Sequence, residues 1–175
     1  MVSLCFDYGH GGKDPGACYL GRKESQDVLS IGQEVAKRVR RCGIIVDETR
    51  THDVAVSLGE RCRYENKKNY DYFISFHRNA YKPELANGAE TYMYLNGGPK
   101  AYTLARTIQG CLVALGFRNR GVKRANFYVL RGTRAPAILV EIGFIDHSGD
   151  NILFDGKREE IAEALAGAIV STVLL

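Results

Sequence analysis

No apolar run in this 175-residue chain approaches the roughly 20 residues that a membrane-spanning helix needs. The opening MVSLCFDYGHGG has neither a basic region nor a small-residue cleavage site, so no secretory leader is expected. It passes directly into a first strand. The cysteines (Cys5, Cys18, Cys42, Cys62 and Cys111) are odd in number and include no CxxC pair. That argues against a disulfide framework and against a thiolate zinc site, and suits folding in a reducing cytoplasm. Internal repeats, low-complexity tracts and long linkers are absent. So is the GxxxxGK[ST] spacing of a phosphate-cradling loop. The net charge of +4 is a mild excess that suits a soluble surface or attraction to an anionic wall polymer. Basic residues are densest at Arg118, Arg120, Lys123, Arg124, Arg131 and Arg134, but they form no tight patch with interleaved aromatics. Nucleic acid is therefore not the expected partner.

What is present reads as one domain over residues 1–175. With 45% hydrophobic and 25% charged residues, the chain is an ordinary globular protein. Short apolar runs at Val2–Phe6, Ile44–Val46, Tyr72–Phe76, Gly88–Leu95 and Ala137–Ile142 read as strands. Between them, Val28, Ile31, Val35 and Val39 recur at helical spacing, as do Leu104, Ile108, Leu112 and Leu115, and Ile161, Leu165, Ala168 and Ile169. A shorter helix from about Ser57 to Lys68 would be capped by Ser57 with Glu60 three residues on. Strands alternating with helices predict a single α/β domain. Its sheet would be mostly parallel and twisted, of about six strands, with helices on both faces.

Four segments carry chemistry. His10 lies in FDYGHGGKDPGA, Glu24 in GRKES, His77 in FISFHRNA and Glu141 in ILVEIGFI. Three of them sit where buried strands emerge, the edge at which α/β sheets form their crevices, and Glu24 opens the first helix. Two imidazoles and one carboxylate are the ligand set of a catalytic zinc ion whose fourth position is kept for water. Glu141 would then be free to serve as a base in metal-assisted hydrolysis. Singly, each has a duller reading. His10 could be a turn residue, Glu24 could stabilise its helix N-terminus, and His77 could be a buried imidazole bonded to backbone. Glu141 is hardest to dismiss, because a carboxylate after AILV is costly unless it is paired or at the sheet edge. His52 and His147, in polar surroundings, are expected to be exposed rather than to ligate.

Together GHGGKDPGA, a Glu opening the next helix, SFHRNA and VEIGF resemble the zinc-dependent N-acetylmuramoyl-L-alanine amidases of the Amidase_3 family, over almost the whole chain. The resemblance implies a peptidoglycan hydrolase, an endolysin or autolysin catalytic domain, that cuts the amide between the lactyl group of N-acetylmuramic acid and L-alanine. His10, Glu24 and His77 would hold zinc, and Glu141 would be the general base. Asn79 matches the Asn of the family's HxNA motif and is expected to touch substrate or hold its loop. The stretch Lys123–Leu130 resembles the segment flanking the groove, so Lys123 and Phe127 are expected at the stem peptide. Tyr8 stands where the family usually has Pro, and Arg78 where it has a small residue; both adjoin the ligand segments and are expected to bear on substrate preference. The implied setting is synthesis in the cytoplasm, release to the wall by lysis or a holin, and a wall-binding domain C-terminal to this chain. Alternatives are a zinc peptidase acting on wall peptides, a non-catalytic peptidoglycan-recognition module, and a plain α/β domain with structural histidines.

Overall fold

The computed structural model describes all residues 1–175. Its first strand, β1 (Ser3–Tyr8), is buried on both faces from Leu4 to Tyr8, as a strand inside a helix-covered sheet must be. A short hairpin of β2 (Cys18–Tyr19) and β3 (Arg22–Lys23) leads into α1 (Glu24–Arg41). Then come β4 (Ile45–Glu48), α2 (Leu58–Glu65), β5 (Tyr72–Asn79), β6 (Ala89–Met93) and α3 (Pro99–Ala114). The chain closes with β7 (Asn119–Arg124), α4 (Tyr128–Gly132), β8 (Ala137–Phe144), α5 (Ser148–Gly156) and α6 (Arg158–Val173).

The main sheet has six strands in the order β4-β1-β5-β8-β6-β7. The first four are mutually parallel, β6 runs antiparallel to β8, and β7 is parallel to β6. The mostly parallel, helix-covered sheet expected from the alternating pattern is therefore observed. All five expected strands and all four expected helices form. Ser57 and Glu60 make the reciprocal capping box at the start of α2. That helix ends at Glu65 rather than near Lys68. There Glu65 turns inward to accept from the backbone amides of Arg134 and Ala135, and the Asn66 amide group donates to the Gly132 carbonyl. The hairpin β2–β3, the polar edge strand β7 and the helices α4 and α5 were not anticipated; Lys123–Leu130 joins the end of β7 to the start of α4.

Alternation along the strands divides the side chains between two unequal layers. Leu4, Phe6, Tyr8, Ile74, Phe76, Ile138, Val140 and Ile142 join α1, α3 and α6 in a core of 31 buried residues. Cys5, Phe73 and Leu139 face the other way, into a cluster of 9 under α2 and α4. Asp7 and Ser75, paired in register, share this thinner side with His77 and Glu141. All five cysteines are free thiols.

Candidate metal centre

The site begins where β1 ends. Gly9 continues the strand by donating its amide to the Phe76 carbonyl at 3.1 Å, and His10 then takes a left-handed φ of 61°. A loop closed by paired hydrogen bonds between Gly11 and Asp14 returns the chain toward His10. Two glycines make room for the functional groups. A Cβ on Gly9 would lie 2.2 Å from Cε1 of His77, and one on Gly16 would lie 2.6 Å from Oε2 of Glu24 and from Cδ2 of His10. Neither contact is sterically possible, so both positions require the absence of a side chain.

Three ligand-type side chains from distant segments converge here. Glu24, the first residue of α1 and only 4% exposed, presents one oxygen to each imidazole. Its Oε2 lies 3.1 Å from Nε2 of His10, and its Oε1 lies 2.9 Å from Nδ1 of His77. The same oxygens accept from the amides of Ala17 and Arg78, which fixes the carboxylate plane. The imidazole rings stand nearly perpendicular, with centroids 5.2 Å apart. One atom from each of the three residues falls within 4.8 Å of the other two. Zinc bonds of about 2.0–2.1 Å at the tetrahedral angle separate neighbouring ligand atoms by about 3.4 Å, so the cluster is already near the required spacing.

The electrostatics fit a cation. Burial opposes the charged forms, but the mutual contacts outweigh it. Hydrogen bonds from both histidines hold Glu24 far below the ordinary carboxylate range, and Glu24, followed by Asp14, lifts His10 to about 9. His77 is raised in the same way, chiefly by Glu24. Asp14 supplies what a ligating histidine needs on its far nitrogen. Its Oδ2 sits 2.9 Å from Nδ1 of His10, which fixes the ring and leaves Nε2 facing the centre. The sequence carried a signal for it, a carboxylate four residues after the histidine in a glycine-rich loop, but the role was not anticipated.

Glu141 stands beside His77 in the register of β5 and β8. Its Oε2 is buried without any hydrogen-bond partner, and burial pushes its carboxyl up to about 7. Both glutamate and histidines open onto a cavity of about 460 Å3. Val56, Leu58, Phe127, Tyr128 and Val129 form its apolar wall, with Asp7 and Arg61 also lining it.

The remaining expected residues separate. Phe127 lines the cavity, its ring edge-on to Tyr92 at 5.0 Å. Asn79 and Lys123 do not line it. Both reach Glu90 on β6, Asn79 through Nδ2 and Lys123 through Nζ, and Arg120 and Tyr92 join them there. The Asn79 Oδ1 accepts from the Ala80 amide, which holds the loop after β5. Tyr8 and Arg78, expected to bear on substrate preference, adjoin ligand segments in sequence but point to the opposite face of the sheet. Tyr8 packs on Gly32 of α1 and donates to Glu48, while Arg78 pairs with Asp27 of α1 and stacks on Phe154 of α5. His52 is exposed, as expected. His147 is half-buried and caps α5 by accepting from the Asp150 amide.

A mixed sheet with a His, Glu, His cluster that could hold a metal ion, and a bare carboxylate beside it, defines a class of α/β proteins with a candidate metal centre. The model of the N-acetylmuramoyl-L-alanine amidase family matches residues 4–171, and the chain belongs to that family. It is 36% identical over 155 residues to the N-acetylmuramoyl-L-alanine amidase CwlM of Bacillus licheniformis, covering 86% of this chain and 59% of that protein. It is 35% identical over 178 residues to the endolysin of Bacillus phage SPP1, covering 97% of this chain and 65% of that protein. Among solved structures, the N-acetylmuramoyl-L-alanine amidase AmiC2 of Nostoc punctiforme superposes with a TM-score of 0.90 at 34% identity, over 99% of this chain and 98% of that one. The chain thus spans about six-tenths of the length of these two curated relatives.

Proposed function

We propose that this chain is a zinc-dependent amidase that cleaves the bond between the lactyl carbonyl of N-acetylmuramic acid and L-alanine in peptidoglycan. The observation that carries this reading is the meeting of His10, Glu24 and His77 within 4.8 Å, beside a Glu141 oxygen with no partner. Two imidazoles and a carboxylate suit zinc, and the orphaned oxygen suits a base waiting for a proton. Family membership and the names of the relatives support the substrate.

His10, Glu24 and His77 would hold the ion, with Asp14 orienting His10. When bound, zinc supplies Lewis acidity for the scissile carbonyl and makes water a nucleophile near neutral pH. Glu141 takes a proton from the attacking water onto Oε2 and delivers it to the departing amine of L-alanine. Amide hydrolysis needs this second transfer, because an unprotonated amine leaves poorly. The apolar wall of Val56, Leu58, Phe127, Tyr128 and Val129 lines the cavity that Glu141 faces. Phe127 is placed to contact the muramyl peptide, and Lys123 and Asn79 shape the margin through Glu90. The chain would act at the cell wall, and the remaining length of the relatives leaves room for a wall-binding part.

Purified walls incubated with the protein should release L-alanine amino termini and no reducing sugar. A chelator should stop release, and zinc should restore it. New amino termini inside the stem peptide would favour a peptidase, and release that persists after chelation would overturn the metal reading.

A further inference from the structure

The carbonyls of Tyr8, Gly9 and His10 are consecutive, and all three accept from buried guanidinium groups. Arg61 of α2 donates from Nη1 to the Tyr8 carbonyl and to Oδ1 of Asp7, each at 2.6 Å, and from Nη2 to the His10 carbonyl at 2.7 Å. Its Nε donates to the Val56 carbonyl at 3.0 Å. Arg50 donates from Nε to the same Tyr8 carbonyl at 2.8 Å, and from Nη2 to the Gly9 carbonyl at 2.9 Å and the Ser25 carbonyl at 2.8 Å. Its Nη1 donates to the His52 carbonyl at 3.2 Å. Both arginines are 3% exposed.

We infer that Arg50 and Arg61 are positioning residues for the metal centre, a double guanidinium clamp that sets the geometry of His10 against Glu24 and His77. The inference rests on the zinc reading above. Gly9 and Ser25, which Arg50 bridges, are the immediate neighbours of His10 and Glu24. Asp7, which Arg61 holds, accepts from Ser75 Oγ at 2.7 Å, two residues before His77 on β5. The clamp therefore touches the segments that carry His10 and Glu24, and reaches the strand of His77 through Asp7, with no hydrogen bond to a ligating atom. His10 needs this restraint, because a non-glycine residue at a φ of 61° is strained and persists only when its surroundings fix it. Stability alone is a poor reason for such a pair. Two buried cations side by side are costly, and apolar side chains of similar volume commonly hold a fold as well. Lysine is no substitute, since a single ammonium lacks the planar fork that spans four acceptors.

The test uses the whole chain with Arg61→Lys and Arg50→Lys. Zinc affinity is read by competition with a chromophoric chelator, ligand geometry by the visible spectrum of the cobalt-substituted protein, and folding by metal-free melting. Each variant should melt cooperatively without metal, bind zinc about 10- to 100-fold more weakly, as expected when the supports of a ligand are lost, and show an altered cobalt spectrum. Folded variants with wild-type affinity and spectrum would overturn the clamp while leaving the zinc reading intact. Failure of both variants to fold would assign the arginines to the fold and overturn it too. Absence of zinc binding by the unaltered protein would instead sink the metal reading, and this inference with it.

Discussion

Glu90 and Glu141 lie opposite one another across β6 and β8, yet four donors point at the first and none at Oε2 of the second. Lys123, Tyr92 and Arg120 hold Glu90 below the ordinary carboxylate range against the effect of burial. Burial takes Glu141 the other way, to about 7, with Glu24 and Glu90 adding to the rise against His77. Two adjacent carboxylates are thereby split into a fixed anion and a group able to exchange a proton near neutrality.

Glu141→Gln preserves shape and removes the exchangeable proton site. Wall hydrolysis should fall by about 10²- to 10⁴-fold, the usual worth of general acid–base catalysis. Zinc content, measured on the same preparation, should equal that of the unaltered protein. Near-normal hydrolysis would remove Glu141 from the reaction.

Asp14→Ala takes the partner from Nδ1 of His10 without touching the core, since the Asp14 side chain is 62% exposed. Zinc affinity should drop about 10- to 100-fold, with little change in metal-free melting. Equal affinity would mean that the ring is oriented by the backbone alone.

Glu90→Ala strands the Asn79 and Tyr92 donors and frees Lys123 and Arg120. Loss of such buried partners costs about 1–3 kcal/mol, readable as a lower urea midpoint. Lys123→Ala leaves Glu90 with its other donors and should cost less.

Phe127→Ala should raise KM for muramyl peptides about three- to tenfold with kcat nearly unchanged, the mark of a contact made equally before and during reaction. An unaltered KM would place the stem peptide elsewhere.

Asp7 makes stability depend on acid. It is fully buried, and although burial opposes its charge, Arg61 and hydrogen bonds from Ser75 and Thr49 keep its pKa below the ordinary carboxylate range. A depressed carboxylate contributes its full stabilisation above the unfolded value and loses it as pH falls through the folded one. Urea midpoints should therefore decline below about pH 4, and in Asp7→Asn that part of the decline should flatten.

The centre was legible because its chemistry admits few residue types: His10, Glu24, His77 and Glu141 declare themselves by identity and by their place at strand or helix ends. The stripe Val28, Ile31, Val35 and Val39 announced α1 for an equally plain reason. The supports were not legible. Arg61 looks like any charged residue on a short helix until α2 is laid over β1. Asn79 and Lys123 are drawn to Glu90, 11 and 33 residues away in sequence, a pairing set only by the sheet order. β7 escaped notice because NRGVKR, at the sheet edge, lacks apolar alternation.

The unequal thickness of the two layers has an evolutionary reading. The 31-residue side anchors the chain, whereas the chemistry sits over a cover of 9. Changes to the thin side, at Leu58, Phe127 or Tyr128, put little of the folding free energy at risk. Such a scaffold can drift toward new chemistries while its foundations stay untouched.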